Sequence, residues 1–343
     1  MADDTGLSAA QIDTCDPLFA PIRLPVEICT RDPLIVVGMP RSGSSFLSHI
    51  LSQIPDWYVF DDLYTQRKAQ EIGVDTPMNA RDVKKLTYYL GWQIRARLRF
   101  GLYAVPNVTE EEVAALDGAL AQAFTDRSGS WAEMQEEFMR RLAKRAGCTR
   151  WGYKMPGAFR RIPELRQHYP QARFMFILRN PYKVLASYKH MPMSSQDGDP
   201  RRYHPIAYAI YWRMAVRSYQ RHCKTLGDGL TLVQFEDLVG QPQQTANRIA
   251  YFLGATPPKD VHVPEKPNTS HATGTRKPDE LTGLEHWILN KIAHREMAAL
   301  KYDLQQTRVR PADFSDLIRT TLRFSGFHLG RLLGRIKARI GSS

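Results

Sequence analysis

Residues 33–47, Pro-Leu-Ile-Val-Val-Gly-Met-Pro-Arg-Ser-Gly-Ser-Ser-Phe-Leu, restrict what this chain can fold into more than any other stretch. The apolar run Leu34, Ile35, Val36, Val37 reads as a buried parallel strand. It stops at Gly38, turns through Met39, Pro40, Arg41, Ser42 and Gly43, and takes up helical periodicity at Phe46, Leu47, Ile50 and Leu51. A strand, a glycine-bounded loop and a helix start point backbone N–H groups and the positive helix end at a phosphate.

The spacing nearly matches the nucleotide-binding P-loop, in which Gly, four residues and a second Gly precede Lys and Ser or Thr. Ser44 stands where that pattern demands the lysine. In a nucleoside-triphosphate enzyme that lysine reaches the β- and γ-phosphates while the hydroxyl holds magnesium. This loop offers Arg41 inside the turn and three hydroxyls, Ser42, Ser44 and Ser45. Such a set suits one phosphate carrying a transferable group, with no metal required.

At 343 residues, 43% hydrophobic and 24% charged, the chain can build one large α/β domain or two small ones. A net charge of +12 predicts anionic partners, from nucleic acid and anionic lipid to a polyanionic acceptor or a charged cofactor. Cys15, Cys29, Cys148 and Cys223 lie far apart and form no metal-ligand or redox spacing, which leaves them as buried thiols. The start, Met1-Ala-Asp-Asp, lacks the basic-then-apolar profile of a signal peptide, and no apolar run is long enough to span a membrane. A cytoplasmic location is expected, with peripheral contact at the inner membrane face left open.

Residues 1–32 carry several prolines and little periodicity, so they read as a lead-in to a domain over 33–303. The first helix runs to about Gln53, and Val59-Phe60-Asp61-Asp62 then places two neighbouring carboxylates. Residues 80–147 look helical throughout, with Tyr88, Tyr89 and Trp92 in a basic stretch and a capping-box pair at Thr109 and Glu112. This block is predicted to be a helical insertion on the acceptor side. Trp151–Lys154, Ala172–Leu178 and Leu230–Phe235 read as strands. Helices are expected over Gly157–Tyr169, from Pro181, over His204–Leu226, Gln243–Leu253 and Leu281–Leu300, and a lid-length loop over Met191–Tyr203. Strands alternating with helices predict an α/β fold, a parallel sheet covered on both faces.

Four segments together resemble the sulfotransferases that use 3′-phosphoadenosine 5′-phosphosulfate (PAPS). Gly38-Met-Pro-Arg-Ser-Gly-Ser-Ser-Phe is similar to that family's 5′-phosphosulfate loop. Arg179-Asn-Pro with Ser187 resembles its 3′-phosphate motif. Gln234-Phe-Glu-Asp-Leu, followed by Pro242 and Phe252-Leu-Gly, resembles a recurrent segment, and Gly152-Tyr-Lys-Met-Pro the strand end that carries a catalytic lysine. The resemblance runs in order from Leu34 to Lys277. It implies a P-loop-like α/β fold, PAPS as co-substrate and no metal. It also implies a binding set of Arg41, Ser42, Gly43, Ser44, Ser45, Phe46, Arg179, Ser187, Phe235, Arg276 and Lys277. Phe46 and Phe235 fall where the family stacks adenine. Arg276 and Lys277 fall on a basic loop that meets the 3′-phosphate.

Sulfuryl transfer moves a charged group between two oxygens in line, so the protein must position both, neutralise charge and accept a proton. Arg41 and Lys154 are the candidates for the charge work. Family members acting on phenols and steroids carry a histidine just beyond the strand-end lysine. Here Met155-Pro156 follows Lys154, which directs the chain to the carbohydrate- and protein-modifying branch. The protein-tyrosine branch carries an acidic base after the first helix, and counting from the loop arginine that place falls on Asp62. Asp61 beside it raises the pKa of the pair through like-charge repulsion.

Residues 311–343 hold Arg319, Arg323, Arg331, Arg335, Lys337 and Arg339 against Asp313 and Asp316. Ile318, Leu322, Leu329, Leu333, Ile336 and Ile340 share one helical face, the pattern of an interfacial helix on anionic lipid or of a helix docked on its own domain. The acceptor is therefore expected to be a hydroxyl on a carbohydrate, glycolipid or other lipid-linked molecule. A small soluble alcohol or phenol is the alternative within the family. Outside it, the alternative is a P-loop nucleotide kinase or NTPase with Glu236 or Asp237 holding magnesium. No nucleic-acid-reading motif is present.

Overall fold

The computed structural model describes residues 33–100, 108–125, 129–191, 200–263 and 281–340. The lead-in over 1–32, Arg276 and Lys277, and most of the lid-length loop lie outside the described residues. The chain begins with β1 (Leu34–Gly38), α1 (Ser44–Leu51), β2 (Trp57–Phe60) and α2 (Thr65–Glu71). Three longer helices follow, α3 (Ala80–Phe100), α4 (Glu110–Thr125) and α5 (Trp131–Arg145). Then come β3 (Arg150–Lys154), α6 (Ile162–His168), β4 (Arg173–Leu178), α7 (Pro181–Lys189), α8 (Pro205–Leu226) and β5 (Leu230–Gln234). The described chain closes with α9 (Phe235–Gly240), α10 (Pro242–Leu253), α11 (Gly283–Ala299) and α12 (Pro311–Ile340).

The five strands form one parallel sheet in the order β2-β3-β1-β4-β5. β1 takes the centre because all five of its residues are apolar or glycine and all five are buried. Its alternation divides the core in two. Leu34 and Val36 pack with Met175 and Ile177 against Leu47 and Ile50 of α1 and Ile249 of α10. Ile35 and Val37 pack with Phe174 and Phe176 in the larger core that includes Phe138 of α5 and Trp212 of α8. Truncating Phe174 or Phe176 to alanine would cost about 3–5 kcal/mol.

Local chemistry moves several boundaries from their sequence expectation. Trp57–Phe60 is an edge strand of only four residues, too short for periodicity to reveal. The stretch expected as one helix over Gly157–Tyr169 divides into a 3-10 turn, Ala158–Arg161, and α6, whose Pro163 occupies the first helical turn. The strand expected to reach Phe235 ends at Gln234, where α9 begins. Thr109 and Glu112 exchange the reciprocal bonds of a capping box, at 2.8 and 3.3 Å.

α12 presents two different faces. On the inner one Asp313 accepts from the amides of Leu284 and Arg310, each at 3.1 Å, and Thr321 pairs with the His204 ring at 3.1 Å. On the outer one Phe314, Ile318, Leu322, Leu329, Leu332, Leu333 and Ile336 are exposed. No helix among the described residues is long and apolar enough to cross a membrane.

Candidate active site

The carboxyl ends of the strands converge on the loop after β1, where open parallel sheets take their ligands. Gly157 N donates to Gly38 O at 2.7 Å and Met155 N to Val36 O at 2.9 Å, tying the turn after β3 to β1. Gly43, at φ 85°, caps α1 without a side chain, and a Cβ there would lie 2.0 Å from the Phe235 ring. Glycine is thus required twice over, by the left-handed backbone and by the close approach. The first amides of α1 have no intrahelical acceptor and face a cradle with positive dipole. The Ser42 hydroxyl is buried with no partner among the described residues, as a donor awaiting an anion oxygen would be.

Arg41, at φ 73°, turns its side chain across the loop and donates from Nε to Ser187 Oγ at 3.0 Å. Ser187 is buried two turns into α7, whose start is fixed by Asn180 accepting from Tyr182 N at 3.0 Å. Arg179, at the end of β4, lays its guanidinium 4.5 Å from the centroid of Phe235, and Phe235 meets Phe46 edge-on at 6.1 Å. The loop residues Arg41 and Gly43 therefore adjoin Ser187 and the Arg179–Phe235–Phe46 group, so the two segments expected to meet the ends of one nucleotide lie side by side.

On the other side of the loop Lys154 is buried at the end of β3. Its Nζ lies 2.8 Å from Asp61 Oδ1, 3.3 Å from Asp62 Oδ1 and 3.3 Å from Ser45 Oγ. Asp61 is the buried carboxylate of the pair and also accepts from Ser48 Oγ at 2.7 Å. Burial pushes its pKa up; Lys154 pulls it down and the Asp62 charge adds to the rise. Asp62 is half exposed, accepts from Tyr64 OH at 3.2 Å and sits at φ 54°.

Sequence reasoning missed what holds this turn in place. Arg97 of α3 donates to the carbonyl of Asp61 and, at 3.4 Å, to that of Asp62, while its guanidinium lies 4.1 Å from the Phe60 centroid. Burial lowers its pKa from the ordinary arginine value. Nothing local in the sequence distinguishes Arg97 from the other basic residues of its helix. Its partners are 35 and 36 residues away.

The kinase-like reading gains nothing here. Glu236 is engaged at both oxygens, accepting from Asn180 N at 2.8 Å and Tyr302 OH at 2.9 Å. Asp237 pairs with Arg248 at 3.3 Å. Neither is held ready for a magnesium ion.

The sequence model described as "Sulfotransferase family" matches residues 33–258. The chain belongs to the sulfotransferase family. Among solved structures it is similar to the sulfotransferase domain from the Synechococcus PCC 7002 olefin synthase, at 20% identity, covering 82% of this chain and 98% of that one, with a TM-score of 0.49. The sulfotransferase domain from the curacin biosynthetic pathway is similar at 16% identity, over 83% and 100% of the two chains, with a TM-score of 0.48. Sulfotransferase STF9 from Mycobacterium avium is similar at 18% identity, over 81% and 79%, with a TM-score of 0.42. No curated protein sequence matches this sulfotransferase.

Proposed function

We propose that this sulfotransferase moves the sulfuryl group of PAPS to a hydroxyl on a lipid-linked or glycan acceptor. The observation that carries the reading is the 3.0 Å bond from Arg41 to Ser187, which joins the residues for both ends of the donor. The amides of Ser44, Ser45 and Phe46, with the Ser42 hydroxyl, suit the phosphosulfate. Arg179 and Ser187 suit the ribose 3′-phosphate, a planar fork and a short donor gripping one anion. Phe46 and Phe235, an edge-on pair beside Arg179, are proposed to stack the adenine, and Arg276 and Lys277 are proposed as further 3′-phosphate contacts.

In the reaction the acceptor oxygen forms a bond to sulfur as the bond from sulfur to the bridging phosphate oxygen breaks. The leaving nucleotide, 3′-phosphoadenosine 5′-phosphate (PAP), keeps the electron pair. The hydroxyl proton passes to Asp62, the more accessible of the two carboxylates. Lys154 and Arg41 offset charge on the bridging and equatorial oxygens. Asp61 holds Lys154 in place beside Ser45. The exposed apolar strip of α12, with Arg319 and Arg323 beside it, supports contact with an anionic lipid surface, where a lipid-linked acceptor would be presented.

Calorimetric titration with PAP, and with ATP in the presence and absence of magnesium, tests the donor. PAP binding in the micromolar range without magnesium is expected. Binding of ATP with magnesium together with no binding of PAP would overturn the assignment.

A further inference from the structure

A cleft of about 400 Å³ opens between α2 and α3, in the excursion of the chain from β2 to β3. One wall is α2 with the residue ahead of it, through Tyr64, Arg67, Lys68 and Glu71. The other is a single face of α3, where Lys85, Tyr88, Tyr89 and Trp92 recur at helical spacing. Tyr88 is 71% exposed and Trp92 44%, whereas Leu86, Leu90 and Ile94 of the same helix are fully buried. Two neighbouring aromatic rings left in solvent along a cleft mark a binding surface, since core cover would have turned them inward. The volume is that of a small-molecule site.

Both walls run to the turn that carries the proposed base. On the α2 side the Tyr64 hydroxyl donates to Asp62 Oδ1 at 3.2 Å, and the Tyr64 amide donates across the cleft to Tyr89 OH at 3.3 Å. On the α3 side Arg97, five residues beyond Trp92, donates to the carbonyls of Asp61 and Asp62. The described residues that line the cleft do not include Asp62 or Lys154, which stand past Tyr64. The reacting hydroxyl belongs beside those two groups, and the cleft receives what is attached to it.

The walls select the occupant. Arg67 and Glu71 form an exposed pair at 2.8 Å, and Lys68 and Lys85 stand among the rings. An alkyl chain laid here would strip water from four charged groups and return no hydrogen bond. A sugar ring presents C–H faces that pack flat on an aromatic ring, and hydroxyls at its rim that bond to charged side chains.

We infer that the cleft between α2 and α3 is a carbohydrate subsite, holding the sugar unit next to the one that carries the reacting hydroxyl. Trp92 and Tyr88 take the face of that unit, and Arg67, Glu71 and Lys85 take its hydroxyls. Tyr64 forms the step from this unit to Asp62. The acceptor is then a glycan of at least two units, free or as the headgroup of a lipid. This assignment rests on the sulfuryl-transfer reading given above and names its substrate class.

The test uses the full chain and neutral probes: maltose, cellobiose, lactose and trehalose, their monosaccharides glucose and galactose, and decanol. Binding is read from tryptophan emission with and without saturating PAP, and transfer is measured with labelled PAPS. At least one disaccharide should bind and accept sulfate with kcat/KM about ten-fold above that of its own monosaccharides, the worth of one stacked ring. Decanol should do neither. Trp92→Ala and Tyr88→Ala should each raise the KM of that disaccharide by roughly five- to ten-fold and erase its advantage over the monosaccharides, with PAP affinity and thermal unfolding unchanged. No disaccharide bound, decanol preferred to every sugar, a disaccharide no better than its monosaccharides, or a KM that neither variant moves would overturn the assignment. Should a disaccharide change the emission of Trp92 while PAP does not bind at all, the donor reading fails and the cleft assignment stands. PAP bound with no sugar bound sinks the cleft assignment alone.

Discussion

Arg41 Nε donates to Ser187 Oγ across 3.0 Å, although 146 residues separate them. The bond makes the loop after β1 and the helix after β4 one binding surface. Ser187→Ala removes both the tether of Arg41 and the contact proposed for the nucleotide. Hydrogen bonds to charged groups contribute about 1.5–3 kcal/mol, so PAP affinity should fall roughly 10–100-fold by calorimetry. Unchanged affinity in this variant would separate the two motifs.

The two aspartates are expected to fail differently. Asp62→Asn should lower kcat by about 10²–10⁴-fold, the usual worth of a general base, with PAP affinity retained. Asp61→Asn leaves Lys154 in a buried site without its closest counter-charge. Losing one partner of a buried pair costs about 3–5 kcal/mol, which urea unfolding would read directly. If turnover survives Asp62→Asn and collapses in a well-folded Asp61→Asn, the base is Asp61.

Asp61 also fixes a pH dependence. Its carboxyl pKa is raised in the folded state, chiefly by burial, so the native protein binds that proton more tightly than the unfolded chain does. Its contribution to stability is fully present below the ordinary aspartate value of about 3.9 and is lost as pH rises through the raised value. The urea midpoint of the native chain minus that of Asp61→Asn should therefore decline with pH across this window and then level off. A difference that grows with pH would contradict the raised pKa.

Arg97 touches the backbone of the Asp61–Asp62 turn, and its effect on the proposed base would act through that turn. Arg97→Met frees the carbonyls of Asp61 and Asp62 and relaxes the left-handed conformation at Asp62. Displacing a catalytic group by about 1 Å can cost 10²-fold, so kcat should drop roughly 10–100-fold while PAP affinity holds. A merely structural role would lower the melting temperature and leave kcat unchanged below it.

Gly43→Ala should abolish PAP binding, because the added methyl would lie 2.0 Å from Phe235 and the backbone stands at φ 85°. Calorimetry with the folded variant checks this.

Legibility in the sequence followed locality. β1, its loop and α1 were readable because strand, turn and helix signals lie within fifteen consecutive residues. β4 and β5 could be found by their apolar runs and β3 by Trp151-Gly-Tyr ahead of a turn, whereas β2 could not, having four residues, only two of them fully buried. The Asp61–Asp62 pair was visible as adjacent letters. That Asp61 is the partner closest to Lys154, some 90 residues on, depended on β2 pairing with β3, which no local pattern announces. Arg97 was hidden for the same reason. Its chemistry arises only when a distant helix meets the Asp61–Asp62 turn.

The strand order divides labour along the sheet. The contacts proposed for the two ends of the nucleotide come from β1, β4, β5 and the segments that leave them, while Asp62 and Lys154, proposed to act on the sulfuryl group, hang from β2 and β3. The chain between β2 and β3 makes a long excursion through α2, α3, α4 and α5 before returning to the neighbouring strand. Such an excursion can lengthen, shorten or change its surface without disturbing β1, β4 and β5. The architecture thus leaves the two halves of the sheet free to change independently, the excursion between β2 and β3 on one side and the segments around β1, β4 and β5 on the other.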